Sequence, residues 1–234
     1  IAAPLLAQFN VYGASLNDRS AERRLGQDNT GALALARRAI ELDAGRAPYW
    51  NTYGRALEAT GDAAGARDAY TEATRRAPTV ANYWINLGRI DALLAQKNVS
   101  GAKDAAYAAA RQAIQVDPNH PTTHDLLARL YFQFGDYKAA LETERQAIAL
   151  YPLVDSYYAL AAECARRIDG DEAAFTILRD GIARTESKDL RLTLARGLVA
   201  RAQFAEARAV LAAVLSAYPN DAQALDLLRQ IGDR

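Results

Sequence analysis

Tyr83-Trp84-Ile85-Asn86-Leu87-Gly88-Arg89 repeats, 34 residues on, the order of Tyr49-Trp50-Asn51-Thr52-Tyr53-Gly54-Arg55. Within the earlier stretch Trp50, Tyr53 and Leu57 fall three and four residues apart, the spacing of one face of a helix. The same period of 34 links Gly101 to Gly135 and Pro118 to Pro152. Pro152 to Pro219 is 67, one short of two periods, and Pro78 to Pro118 is 40, one period plus six. The simplest account is a 34-residue unit with a six-residue insertion, Gln96 to Gly101, in one copy. A unit of this length cannot bury its apolar face alone, so neighbouring copies must stack.

Each unit reads as two helices. Ala66, Tyr70 and Ala73 carry the helical spacing into a second segment, and Gly61-Asp62, Gly135-Asp136 and Gly170-Asp171 mark the turns between the two. Asp117-Pro118 and Tyr151-Pro152 close units, because proline cannot continue a helix and turns its predecessor away from helical backbone. No run of alternating β-branched residues argues for a strand. Gly54, Gly88, Ala128, Ala162 and Ala195 share one place on the first helix, and Ala32, Ala66, Ala106, Ala140, Ala174 and Ala207 share one on the second. Small residues there let backbones approach, while large residues, Trp50 and Trp84 among them, are expected to fill the spaces between units.

Charge and composition narrow the function. Lys plus Arg and Asp plus Glu are each 28, for a net charge of zero. A nucleic-acid binder needs a cationic surplus to release counterions, so no nucleic-acid partner is expected. No stretch is long and apolar enough to span a bilayer. The single cysteine, Cys164, cannot close an internal disulfide, and among alanines on a first helix it reads as an inert buried thiol. His120 and His124 are four apart, a spacing that can share zinc on a helix, but Pro121 lies between them and no glutamate accompanies them. His124 falls where Trp50 and Trp84 stand in other units, which points to packing. Glu142 and Glu144 read as a solvated helix face. No catalytic residue, metal site or cofactor is expected.

The order of aromatic, Leu-Gly, aromatic, then Ala, aromatic, Ala and Pro resembles the tetratricopeptide repeat. Trp50, Gly54, Leu57, Ala66, Tyr70, Ala73 and Pro78 carry it in 47–80, and Leu127, Ala128, Tyr131, Gly135, Tyr137, Ala140, Ala147 and Pro152 carry it in 121–154. The units 81–120 and 188–221 keep it, and 155–187, which lacks the closing proline, follows it more loosely. Before them lie an N-terminal helical segment and a degenerate half repeat, 1–46, and after them a capping helix, 222–234. The resemblance implies an all-α, right-handed superhelical solenoid of antiparallel helix pairs that works as a protein-binding scaffold rather than an enzyme.

In that family the first helices line a concave groove where ligand peptides lie. The register then places Arg55, Arg89, Arg129 and Arg196 at one groove-facing position, interrupted by Glu163, with Asn51, Asn82 and Asn86 beside the first two. Such a row could take carboxylates in two-pronged bonds, so a protein or peptide partner with acidic groups is expected. The arginines could equally pair with acids on neighbouring helices.

A narrower resemblance is to the soluble C-terminal domain of bacterial O-antigen ligase or polymerase membrane proteins. It rests on Ala3-Pro4-Leu5-Leu6-Ala7, on Arg76-Ala77-Pro78-Thr79, and on Asp117-Pro118-Asn119-His120-Pro121 leading into His124. It implies an accessory domain on the extracytoplasmic side of a bacterial membrane, tethered upstream, with catalysis before residue 1.

Overall fold

The computed structural model describes residues 2–120 and 122–232, with side chains described from residue 11. The side chains of Ala3 to Ala7, and Pro121 between the two histidines, lie outside the described residues. Thirteen α-helices and no strand occur among the described residues, the all-α class expected from the sequence. They are α1 (Ala2–Leu25), α2 (Asn29–Leu42), α3 (Ala47–Ala59), α4 (Ala63–Arg76), α5 (Ala81–Gln96), α6 (Ala102–Val116) and α7 (Thr123–Gln133), followed by α8 (Tyr137–Leu150), α9 (Asp155–Asp169), α10 (Asp171–Thr185), α11 (Lys188–Ala200), α12 (Phe204–Ala217) and α13 (Ala222–Ile231). No helix among the described residues is long and apolar enough to cross a membrane. The chain forms two compact units, residues 1–126 and 127–234.

In the first unit each helix packs on the next, from α1 to α6, and α1 also reaches α3. In the second, α8 to α13 pack in order, and α9, α11 and α13 touch along one side. The stripe of alanines on the second helices is what permits this: Ala32, Ala66, Ala106, Ala140 and Ala207 are fully buried and Ala174 nearly so. The matched first-helix places are also closed, with Ala128 and Ala195 at 0% exposure.

Trp50 and Trp84 are only half-buried; the large side chains wholly inside include Tyr70, Tyr158, Ile90, Leu130, Leu190, Leu192, Leu198, Leu211 and Ile231, and also Glu144, which is therefore not on a solvated face. The tryptophans do something else. Trp50 Nε1 donates to the Ala44 carbonyl and Trp84 Nε1 to that of Pro78, both at 2.8 Å. At the same register His124 Nε2 meets the Pro118 carbonyl at 2.9 Å and the Tyr158 hydroxyl donates to Pro152 at 3.0 Å. Arg191, at that place in α11, donates to the Glu186 carbonyl. An amphipathic side chain with an apolar body and a donor at its tip satisfies this role, whatever its chemical type. The position thus pins α3, α5, α7, α9 and α11 each to the loop before it.

The turns inside the pairs are built on capped N-termini. Asp28, Asp62 and Asp136 accept from the backbone N–H three residues on, and so close one of the open donors of α2, α4 and α8. The residue before each cap is in the left-handed region: Gln27, Gly61 and Gly135. Ala202 holds that place before α12.

The insertion expected at Gln96 to Gly101 is partly absorbed into helix. The turn that closes α3, with Asp62 N–H donating to the Leu57 carbonyl, recurs three residues later than its register in α5, from Val99 to Leu94. So α5 has 16 residues where α3 has 13. At the N-terminus, Ser20 occupies the small-residue place of Gly54, is 1% exposed, and donates to the Ala32 carbonyl at 2.7 Å. The latter part of α1 therefore pairs with α2 as a first helix with a second.

Candidate functional site

The residues singled out in the first unit fall on one face. Asn51, Arg55 and Glu58 are spaced four and three apart on α3, and Asn82, Asn86 and Arg89 likewise on α5, so each set is a single stripe. Two bonds join the stripes. Asn86 Nδ2 donates to Asn51 Oδ1 at 2.8 Å. Arg89 Nη2 donates to Glu58 Oε2 at 2.9 Å, and the Tyr70 hydroxyl donates to the same oxygen at 2.9 Å. Burial first, and then the neighbouring Glu58, push the Tyr70 phenol well above its ordinary value.

Arg89 is therefore committed to the neighbouring helix. Arg55 is exposed and has no hydrogen bond or ion pair among the described residues. Asn82 is exposed on the same stripe of α5. After their mutual bond, Asn51 still has its amide N–H donors and Asn86 its carbonyl oxygen. That is one kind of donor and one acceptor, the complement of a peptide unit.

In the second unit Arg129 lies exposed on α7 and Arg196 on α11. The helix between them presents Glu163, whose carboxyl is held below its ordinary value by the hydrogen bonds of Arg166 and then Arg167. Arg196 bonds within its own helix, to the Leu192 carbonyl and the Thr193 hydroxyl. It also lines a cavity of about 510 Å³ between α11 and α13, with Val199, Gln223, Asp226, Leu227 and Gln230. The amides and Asp226 make that cavity mixed in character rather than cationic.

The two histidines are engaged apart from each other. A carbonyl only accepts, so His124 Nε2 carries the proton toward Pro118. His120 Nδ1 accepts from the Thr122 N–H at 3.2 Å. No group of three metal-ligating side chains comes together among the described residues. Cys164 is fully buried, and burial followed by the charges of Glu144 and Glu163 pushes its thiol up to about 11. A thiol so placed is not ionised at neutral pH and is no nucleophile.

Sequence reasoning missed one residue. Asp91, three residues after Gly88, is 2% exposed and lies 2.8 Å from Arg67 of α4. Its signal was the register: three residues after Gly54, Ala128 and Ala195 stand Leu57, Tyr131 and Leu198, and a carboxylate there breaks the pattern.

Family models described as tetratricopeptide repeat match residues 47–90, 122–152 and 172–231, together more than half of the chain. No curated protein sequence matches. Among solved structures, pilF of Pseudomonas aeruginosa is similar with a TM-score of 0.70 at 15% identity, over 95% of this chain and 99% of that one. The C-terminal part of a repeat protein from Cytophaga hutchinsonii is similar at 0.69 and 18% identity, over 97% and 94%. YrrB, described as a TPR protein with an unusual peptide-binding site, is similar at 0.59 and 17%, over 80% and 90%. At such identities these structures show a shared fold. The resemblance to O-antigen ligase domains finds no support among these matches.

Proposed function

The chain is a member of the tetratricopeptide-repeat family, and from that premise we propose that it is a protein-binding scaffold whose first helices hold an extended segment of a partner. Repeats of this kind build extended binding surfaces and carry no chemistry of their own. The segment crosses α3 and α5, with its main chain bonded to the open amide groups of Asn51 and Asn86 and an acidic side chain on Arg55. The observation that carries this reading is the Asn51–Asn86 bond beside an exposed arginine without an ion-pair partner.

The preference for acid is modest. Of the charges on this face, Arg89 and Glu58 offset each other, which leaves Arg55. In the second unit the cavity beside Arg196 is a surface of its own, and there Asp226 and the two glutamines favour polar over purely acidic contacts.

Peptides selected from a random library against the full chain test this. Recovered sequences should carry Asp or Glu, and titration calorimetry should show binding that weakens as salt rises, because exposed pairs are screened. Arg55→Glu should weaken such a peptide by about tenfold or more, which is 1.4 kcal/mol or more, with the melting temperature unchanged. Asn51→Ala should weaken it too. Peptides bound equally by Arg55→Glu and Asn51→Ala would place the contact elsewhere and overturn the proposal.

A further inference from the structure

Asp91 stands in α5 at the place that Leu57 and Leu198 fill in their helices, and it is buried as they are: 2% exposed against 6% and 0%. Among the described residues its ion-pair partner is Arg67, whose Nε lies 2.8 Å from Oδ1. The approach is off-line, and Oδ1 makes no hydrogen bond. A carboxylate can accept about four. A buried carboxylate oxygen left without a hydrogen bond calls for a reason.

The reason is visible beside it. Asp91 lines an open cavity of about 310 Å³ between α4, α5 and α6. Arg67 flanks it from α4, the Trp84 ring and Leu87 form one wall, and alanines of α6, Ala108 among them, keep the opposite wall low, with Gln112 on α6. The Trp84 N–H is spent on Pro78, so the indole offers only apolar surface and its π-face. Burial raises the Asp91 carboxyl above its ordinary value, and Arg67 counters this.

We infer that this cavity receives a basic side chain, a lysine or arginine of a partner protein. The cation meets Asp91, the aliphatic stem runs along Leu87 and the alanines, and the indole face of Trp84 adds a cation–π contact. Arg67, whose side chain is 36% exposed, swings outward and gives up its place. An acidic side chain would meet a like charge at Asp91, and an apolar one would leave Oδ1 without a hydrogen bond as before. At about 100° per residue, Trp84, Leu87 and Asp91 lie on the side of α5 roughly opposite Asn82, Asn86 and Arg89. This is a second surface, and it does not rest on the proposed peptide face.

Trp84 is the reporter. In the nitrogen-15-labelled full chain the two indole N–H signals are assigned with Trp50→Phe. N-acetyl-lysine methylamide should shift the Trp84 signal saturably, and the neutral N-acetyl-norleucine methylamide should not at equal concentration. Asp91→Asn should weaken the lysine compound about tenfold or more. Arg67→Gln, which removes the internal competitor, should tighten it severalfold. Circular dichroism checks that each variant is folded, and Asp91→Leu, which restores the residue of Leu57, replaces Asp91→Asn if the amide does not fold. Equal shifts by norleucine, undiminished binding in the Asp91 variant, weaker binding in Arg67→Gln, or no lysine-induced shift in either the parent or Arg67→Gln would each overturn the inference.

Discussion

Gly54 and Gly88 hold the same place in successive first helices, yet a methyl group added to each meets different neighbours. At Gly54 it would lie 2.7 Å from Cε1 and 2.8 Å from Cδ1 of Tyr70, a ring that is fully buried and tied to Glu58. At Gly88 the nearest atom is the end of Leu126, at 3.3 Å. Gly54→Ala should therefore cost about 1–3 kcal/mol as overpacking. Gly88→Ala should be neutral or stabilising, because alanine is better than glycine in a helix by about 1 kcal/mol. Urea denaturation of the two variants checks the contrast. Ala202 sits at φ 58, where a side chain is strained by about 1–2 kcal/mol. Glycine relieves that strain at some entropic cost, so Ala202→Gly should raise the urea midpoint. The small residues that close the stack were legible in the sequence, since their spacing alone identifies them. Asp91 was not, because a lone aspartate in a helix reads as surface until its register and its burial are set side by side.

At the scale of the element, the pairing of helices followed from apolar spacing and turn residues, but their lengths did not. Nothing in Gln96 to Gly101 distinguishes an extra loop from an extra helical turn. The outcome depends on Leu94, which is 6% exposed and finds a core to pack on. In α1, Leu16 and Ser20 stand where α3 has Trp50 and Gly54, so the repeat pattern does not show in its sequence, and both are nonetheless buried. The capping helix α13 has its own anchor. Asp221 accepts from the N–H groups of Gln223 and Ala224 and from Lys188 Nζ at 2.9 Å. The hydrogen bond from Lys188, then those of the helix backbone, hold the Asp221 carboxyl below its ordinary value. A group with a depressed folded value contributes stability above its unfolded value and loses it as pH falls through the folded one. Asp221→Ala should thus melt below the parent at neutral pH. The difference should persist down to about pH 5 and close as the pH falls below the ordinary aspartate value of about 3.9. Thermal melts by circular dichroism across that range measure it.

For the whole molecule, charge balance and repeat period pointed to a binding scaffold. The row of four arginines was the part that spacing could not settle. Register places side chains on a face, but it does not say which of them are already paired. Arg89 is held by Glu58 and Arg196 bonds its own helix, while Arg55 has neither constraint. We propose that the first-helix face of α3 and α5 holds a segment of a partner protein. The most direct measurement installs a photo-crosslinking amino acid at Asn82, exposed on that face, and maps the crosslinked peptide in cells by mass spectrometry. One partner segment with an acidic residue near the crosslink is expected, and it is lost when Arg55→Glu is added. A crosslink that survives Arg55→Glu undiminished, or none from Asn82 at all, would contradict the proposal.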